Sequence, residues 1–320
     1  GCGAFLGGIS KNFGSNLLLP KEEEGWIVAE ADEFDRSFLH LIPQIALISS
    51  MDADHLDIYG DKGKITESFE KFASQVKTGG QIVIKKGLQI DPAITKAEIF
   101  SYSLLLDADF QSLNLKLKEG FYTFDLKTPE GIIPGCQLNY PGLLNVENSV
   151  AAAALAFLAG ASSEEIKQGL TGYQGVVRRF DIRYKDGRHI YIDDYAHHPE
   201  ELRAVISSVK ALYQGRKVTG IFQPHLYSRT RDFSAEFAEN LDLLDEVVLV
   251  PIYPAREEPI PGISSQTIFD QLKSENKFLV EKEEVTQLLQ SHETDVVMTM
   301  GAGDIDGIAD GIVELLKNKN

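Results

Sequence analysis

Cysteine and positive charge are scarce in this chain of 320 residues, and long hydrophobic runs are missing. The two cysteines, Cys2 and Cys136, have no metal-ligand spacing and form no disulfide framework, so a reducing cytoplasm is the simplest compartment. No apolar run approaches the roughly 18 residues of a membrane span, so we expect no membrane insertion. The net charge of -17 argues against nucleic acid as a partner, because non-specific binding needs a basic surface. It does not argue against phosphate ligands, which local arginines, backbone N–H groups and Mg²⁺ can bind on an acidic protein.

Familiar catalytic motifs are missing as well. The chain has no GxxxxGK[ST] phosphate loop, and residues 60–66 (GDKGKIT) have a similar composition without the spacing. It has no GxSxG elbow and no cysteine nucleophile with partners. Gly1 is not an initiator methionine, and the residues that follow do not form a signal peptide. We therefore expect the chain to begin inside a larger protein.

Two short apolar runs, residues 26–29 and 45–48, organise the first half of the chain. Both lack polar alternation, which predicts strands buried on both faces of a parallel sheet, where ligands lie beyond the carboxyl ends. Carboxylates at that place suit Mg²⁺, which is usually held by one or two of them together with substrate phosphates. The alternative is that these acids are only helix caps and solvated loop. The polar residues concerned are Glu30, Asp32, Glu33 and Asp35 after the first run, and Asp52, Asp54, His55 and Asp57 after the second.

The remainder of the first half predicts a mixed α/β domain. Residues 1–25 suggest a Gly-rich loop, residues 81–85 a strand, and the alternation within residues 99–140 an antiparallel hairpin with a Glu-Gly turn. Helical spacing of apolar residues predicts a helix over 64–77, on the face formed by Ile65, Phe69, Phe72 and Val76. Two more helices are predicted, one over 146–159 with Asn145 as its N-cap and one from residue 163 capped by Ser162 or Ser163.

A boundary near residue 175 separates this domain from a second one, which gives domains of 1–174 and 175–320. Beyond the boundary a strand, a loop and helical sequence recur four times, and this alternation predicts a parallel α/β domain. Polar clusters follow each predicted strand. They are Asp193, Asp194, Tyr195, His197 and His198 after the first, Gln223, His225, Arg229 and Arg231 after the second, Tyr253, Arg256 and Glu257 after the third, and Gly301, Gly303 and Asp304 after the fourth.

The residue types at these strand ends suggest ligands. Asp193 or Asp194 can accept hydrogen bonds from ribose hydroxyls, and the planar fork of Arg179 suits phosphate or carboxylate. Arg229 and His225 can hold a substrate carboxylate. A solvated helix start is the alternative for Arg229 and Arg231, but cations at a helix N-terminus are electrostatically disfavoured, which favours a ligand there.

Eight stretches of the chain resemble the Mur ligases, in family order over nearly the whole sequence. They are EADEFDRSFL (30–39), DADHLD (52–57), NVEN (145–148), GVVRRFD (175–181), DDYAHHPEE (193–201), FQPHLYSRTRDF (222–233), YPAREEPIPG (253–262) and GAGDI (301–305). The resemblance implies most of a central ATPase domain, a mostly parallel sheet with an antiparallel hairpin, followed by a C-terminal Rossmann-like domain that binds an amino acid. It also implies a phosphate loop just upstream of residue 1.

The resemblance further implies an activity: ATP-dependent ligation of L-alanine to UDP-N-acetylmuramate through an acyl phosphate, in cytoplasmic peptidoglycan precursor synthesis. Glu30 and His55 would hold Mg²⁺ and, with His197 at the reacting phosphates, would form the catalytic set. Asn145 and Asn148 would contact adenine, Arg179 and Asp194 the ribose and phosphates, and Tyr195, His225 and Arg229 the alanine.

Two alternatives remain open at this point. One is a related ligase that attaches a recycled murein peptide to the same nucleotide sugar. The other is a nucleotide- and amino-acid-binding fragment without catalysis, and we expect this chain to be inactive alone. The sequence also departs from the family pattern, because Leu226 stands where many members have arginine and Asp304 where asparagine is usual.

Overall fold

The computed structural model describes residues 2–20, 25–32, 36–51, 62–118 and 121–319. The chain forms two compact units, Gly1–Gln174 and Gly175–Asn320. Both contain mostly parallel sheets packed with helices, which confirms the predicted α/β fold class. Within the described residues, no helix combines the length and the apolar character needed to cross a membrane.

A small sheet opens the first unit. It contains β1 (Gly3–Ser10), β2 (Ser15–Leu18) and β3 (Ile27–Ala29), in the order β2-β1-β3, with β1 antiparallel to β2 and parallel to β3. Within residues 1–25, predicted as Gly-rich loop and short apolar pieces, the loop is therefore wrong for β1 and β2, because glycines within β1 weaken its strand signal without preventing pairing. The predicted burial of residues 26–29 is wrong too, since Ile27 is 57% exposed and Val28 49% exposed. Residues 27–29 therefore form an edge strand beside β1 in this small sheet and do not belong to the larger sheet described next.

The large sheet of the first unit follows chain order. Its described strands are β4 (Ile45–Ile48), β5 (Gln81–Lys85), β6 (Glu98–Ser103), β7 (Phe110–Lys118), β8 (Phe121–Thr128) and β9 (Gly131–Leu138). Neighbours pair in parallel from β4 to β7 and antiparallel from β7 to β9. The predicted strand at 81–85 and the antiparallel hairpin are confirmed, while the predicted Glu-Gly turn at 119–120 lies outside the described residues.

Three helices are described in the first unit: α1 (Lys62–Ser74), α2 (Leu143–Leu158) and α3 (Ser163–Gly172). Ile65 and Phe72 of α1 are buried, as the helical spacing predicts. Ser162 caps α3 in a capping box with Glu165, which confirms that prediction. The predicted N-cap Asn145 is wrong, because Gly142 takes that position with a φ of 95°, which favours glycine.

The second unit is one sheet with helices around it. Its described strands are β10 (Asp181–Lys185), β11 (Ile190–Asp194), β12 (Val218–Phe222), β13 (Glu246–Leu249), β14 (Lys277–Leu279) and β15 (Val296–Met300), in the order β10-β11-β15-β12-β13-β14. All neighbours pair in parallel except β10 with β11. The helices are α4 (Pro199–Leu212), α5 (Tyr227–Leu241), α6 (Ser265–Phe269), α7 (Val285–Ser291) and α8 (Ala309–Asn318). The sequence predicted the four inner strands and missed the edge strands β10 and β14.

The register of the inner strands determines where the polar clusters lie. Asp194 is paired with Met300, Met300 with Phe222, and Phe222 with Leu249, so β11, β15, β12 and β13 end at nearly the same level. Every residue of these four strands is buried. Residues 193–198, 223–229, 253–257 and 301–304 follow these ends, and we call them the carboxyl rim.

Candidate functional site

Four aromatic rings are in successive contact along the carboxyl rim. Tyr195 meets His197 edge to face with centroids 5.3 Å apart, His197 meets His225 at 5.7 Å, and His225 stacks on Tyr253 at 5.8 Å. These rings follow three different strands, β11, β12 and β13. The structure therefore brings Tyr195 and His225, which the resemblance assigned to the alanine, into contact with His197, which it assigned to the reacting phosphates.

His225 is a neutral histidine in a cationic setting. Burial is the largest cause that lowers its pKa to about 4, followed by repulsion from His197 when that ring is protonated and from the positive charge of Arg229. Its Nδ1 is buried and has no hydrogen-bond partner among the described residues. A buried imidazole nitrogen without a partner is costly, and such atoms often mark a place for a ligand.

The imidazole of His197 is oriented by two oxygens. Nδ1 lies 2.9 Å from the carbonyl oxygen of Tyr195 and 3.3 Å from Oε2 of Glu201. Because a carbonyl oxygen only accepts, Nδ1 is the protonated nitrogen and Nε2 of the neutral ring can accept a proton. Burial lowers the pKa of His197 although the Glu201 carboxylate opposes this. The ring is thus fixed in one tautomer.

Arg229 lies in the first turn of α5, next to an anchored loop. Its Nη1 is buried and lacks a hydrogen-bond partner within the described ranges. The preceding residue, Ser228, donates its backbone N–H to Oε2 of Glu257 at 3.0 Å and its hydroxyl to Oε1. Glu257 thereby supplies the negative charge that a helix N-terminus favours, and Arg229 keeps a donor for another anion.

The adjacent carboxylates of β11 are engaged within the protein. Asp194 accepts the backbone N–H of Phe180 at 2.6 Å and that of Ala196 at 2.8 Å, while burial raises its pKa to about 6. Asp193 is fully buried and accepts the hydroxyl of Thr299 at 2.7 Å. Both carboxylates fix the protein around the rim, and a ribose contact by Asp194 stays a prediction.

The two neighbouring arginines of the RRF stretch have different surroundings. Arg178 places Nε 3.3 Å from Oδ2 of Asp193 and donates to the carbonyl oxygens of Gly301 at 2.6 Å and Gly303 at 3.0 Å. The Arg179 side chain is 58% exposed, with Nη1 3.9 Å from Glu201. From the sequence we assigned a ligand role to Arg179 and missed the structural contacts of Arg178. The only indication of them in the sequence was the pair of adjacent arginines.

Both guanidinium groups lie over the Tyr195 ring, at 5.2 Å for Arg178 and 5.4 Å for Arg179. The Arg178 backbone carbonyl also accepts the N–H of Tyr195 at 2.7 Å. Cation–π attraction and this hydrogen bond hold the phenol ring in place at the start of the ring series.

In the first unit, α2 and α3 line an apolar cleft of about 410 Å³. Asn145 and Asn148, the predicted adenine contacts, both line it, among alanines of α2 and residues of α3 such as Ile166 and Gly169. The Asn145 amide donates to the Pro141 carbonyl at 2.6 Å. An apolar cleft with a few amide groups has the character of a site for a flat, nitrogen-rich ring.

The predicted metal ligands are only partly described. Glu30 follows β3 and accepts the Gly7 N–H on Oε2 at 2.6 Å, while the carboxylate remains on an exposed residue. His55, together with residues 52–57 as a whole, lies outside the described residues. In the described ranges no group of three or more His, Cys, Asp or Glu side chains could hold a metal ion. A Mg²⁺ site needs fewer protein ligands when substrate phosphates complete its shell, and Glu30 offers one suitable oxygen ligand.

The second unit thus belongs to the doubly wound α/β domains that bind ligands beyond the carboxyl ends of their strands. Comparison with known proteins narrows this class of domain to one family. The sequence matches the Mur ligase middle domain over residues 16–156 and the Mur ligase glutamate ligase domain over residues 178–303.

Two kinds of relatives extend this match. The UDP-N-acetylmuramate–L-alanine ligase of Phocaeicola vulgatus is 48% identical over 321 residues, which cover 100% of this chain and 70% of that protein. The crystal structure of the UDP-N-acetylmuramate–alanine ligase of Thermotoga maritima has a TM-score of 0.81 and 25% identity, over 100% of this chain and 70% of that one. The MurF ligase of Thermotoga maritima, solved in complex with ADP, shares the fold with a TM-score of 0.73 and 19% identity, over 100% of this chain and 74% of that one.

The chain belongs to the Mur ligase family. The resemblance found in the sequence is thereby confirmed. The chain spans about 70% of the length of the Phocaeicola vulgatus relative.

Proposed function

We propose that the protein contributes to an ATP-dependent ligase that joins L-alanine to UDP-N-acetylmuramate, in the cytoplasm, as a step of peptidoglycan precursor synthesis. The observation that carries this proposal is the carboxyl rim, where the unpaired buried Nη1 of Arg229 and the neutral ring of His225 occupy one cluster. Such a cluster suits the carboxylate of a small amino acid. The alanine-adding relatives support the choice of amino acid.

The reaction has two steps. An oxygen of the UDP-N-acetylmuramate carboxylate attacks the γ-phosphorus of ATP, which forms an acyl phosphate and releases ADP. The alanine amine then attacks the acyl carbon, phosphate leaves with the bonding electrons, and the amine loses a proton as the amide forms. Charge neutralisation around the phosphoryl group and orientation of the amine are what the protein must provide.

The rim residues would orient the amino acid. Arg229 would bind its carboxylate through the free Nη1 donor, and Tyr195 and His225 would line the pocket beside it. Arg179, whose side chain is 58% exposed, would contact the nucleotide phosphates together with His197. Asp194 would support this arrangement through its backbone contacts to Phe180 and Ala196.

Adenine would occupy the cleft between α2 and α3, against the amides of Asn145 and Asn148. Glu30 and His55 would hold Mg²⁺, which supplies charge neutralisation for the phosphates when bound. The exposed Glu30 carboxylate has an oxygen-donor chemistry that fits this ion.

The test is product formation by the longest natural form of the protein that contains this chain. We expect ADP and an alanyl amide to form in equal amounts from ATP, UDP-N-acetylmuramate and L-alanine. A competition between L-alanine and a murein tripeptide separates the proposal from the peptide-recycling alternative. Preferred use of the tripeptide would contradict the proposal, and ATP turnover without amide formation would contradict ligation itself.

A further inference from the structure

The loop from Tyr253 to Glu257 is fastened to the start of α5 at both of its ends. At one end, Tyr253 donates its N–H to the Pro224 carbonyl at 2.9 Å and accepts the N–H of Leu226 at 3.0 Å. At the other end, Glu257 accepts the backbone N–H and the hydroxyl of Ser228. Arg256 lies between these attachments, so its backbone is held beside the first turn of α5.

The same turn carries Arg229, whose buried Nη1 has no hydrogen-bond partner among the described residues. The positive charges of Arg229 and Arg256 both act on His225, where they add to burial in keeping the ring uncharged. Glu257 is the opposing charge at this ring, and it is engaged by Ser228. The positive charges of two arginines therefore act on one neutral histidine, and the anchored loop holds the backbone of the second arginine beside the turn that carries the first.

We propose that Arg256 is a second cationic ligand for the carboxylate of the amino-acid substrate, acting together with Arg229. This inference rests on the proposed function, because it assigns a further residue to the same pocket. A carboxylate has two oxygens that can accept several hydrogen bonds, more than one free guanidinium nitrogen supplies. The anchored loop holds the Arg256 backbone in place before the substrate arrives, which reduces the entropy lost on binding.

The chemistry makes Arg256 a determinant of specificity. A charge-assisted hydrogen bond to a carboxylate distinguishes an amino acid from the corresponding amide, whereas a residue that only stabilises the loop does not. Loss of such a bond lowers binding about tenfold to a hundredfold. The effect on ATP should be small, because the bond is made to the amino acid.

The experiment compares L-alanine with L-alaninamide as amine substrates of the longest natural form. The variants are Arg256→Ala, Arg256→Lys and, as a matched control, Arg231→Ala. The sequence grouped Arg231 with Arg229, but in α5 its side chain is half-exposed and its Nε lies 2.7 Å from Oδ1 of Asp232. It is therefore not part of the proposed pocket, and its loss should leave the pocket unchanged.

For Arg256→Ala we expect kcat/KM for L-alanine to fall about tenfold to a hundredfold, with less than a twofold change for L-alaninamide and for the KM of ATP. Arg256→Lys should recover part of the loss because it restores the charge without the planar fork. Equal losses for the two amines, or no loss for L-alanine in an active enzyme, would overturn the assignment of Arg256 while the proposed function stands. Absence of alanine ligation by the wild-type protein would refute the proposed function and this inference with it.

Discussion

His225 stacks on Tyr253, with ring centroids 5.8 Å apart and ring planes at 16°, and the backbones of the two residues form a β-bridge. Strands β12 and β13 therefore continue to pair beyond their regular ends. The pocket proposed for the amino acid is built on this extension, so its walls are held by backbone hydrogen bonds. Sites on such rigid elements hold a ligand in one geometry, which ligation requires.

Arg178→Ala should destabilise the second unit by about 3 kcal/mol, because it leaves the buried Asp193 carboxylate without its cationic partner. Chemical denaturation measures the loss. The control is Arg183→Ala, which removes an ion pair to the exposed Asp310 and should cost less than about 1 kcal/mol. Adding Asp193→Asn to Arg178→Ala should restore part of the stability. Equal losses for Arg178→Ala and Arg183→Ala would contradict this role of Arg178 as the partner of Asp193.

His225 should make the second unit less stable in mild acid. The unfolded histidine binds a proton near pH 6.5, whereas the pKa of folded His225 is about 4, so protons favour the unfolded state in this window. The free energy of unfolding should therefore decline as the pH falls from 6.5 towards 4, with no contribution from His225 above pH 7.

His225→Gln should remove part of this decline, while a variant of the exposed His40 should not. Hydrogen exchange of peptides from β12 and β15, measured at increasing denaturant concentration, would give the unfolding free energy of this unit. If the unfolding free energies of the wild-type protein and His225→Gln declined equally as the pH fell, a lowered pKa of His225 would be ruled out.

Glu30→Ala should abolish ligation chiefly through loss of Mg²⁺. Glu30→Gln separates charge from shape, because its amide oxygen can still accept the Gly7 N–H that Glu30 accepts at 2.6 Å. Activity measured against Mg²⁺ concentration should show a large shift for both variants. An unchanged Mg²⁺ requirement in an active Glu30→Gln enzyme would remove Glu30 from the metal site.

Gly169→Leu should weaken nucleotide binding by filling the cleft between α2 and α3. Gly169 lines the cleft, and a Cβ added there meets no atom within 4 Å, so the substitution begins without a clash at Cβ. Gly172 in the same helix also has free space but does not line the cleft, which makes Gly172→Leu the matched control. Calorimetric titration with ADP should show at least a tenfold weaker affinity for Gly169→Leu alone, and equal affinities would place adenine elsewhere.

The inner strands of the second unit could be predicted because they are uninterrupted apolar runs. Strands β10 and β14 could not, since they lie at the sheet edges, where burial is partial and the apolar signal is weak. The small sheet was missed although β3 was predicted as a strand, because residues 26–29 were taken as buried on both faces and because several glycines weaken the strand signal of β1.

The site residues could be predicted from their types and their positions at strand ends. Their hydrogen-bond and ion-pair partners could not. Nothing in the RRF stretch separates Arg178 from Arg179, because burial of Arg178 depends on positive φ angles of 61° at Arg178 and 45° at Phe180. The engagement of Asp194 with backbone N–H groups depends on the same turn. Such contacts arise from tertiary packing, which a local pattern does not encode.

The proposed function depends most on Arg229, through which the carboxyl rim would bind the amino acid. The most direct measurement is the KM of Arg229→Ala for L-alanine and for ATP in the longest natural form of the protein. We expect the alanine KM to rise at least about tenfold, from loss of a charge-assisted hydrogen bond, with less than a twofold change in the KM of ATP. Equal changes for the two substrates would contradict this role of Arg229.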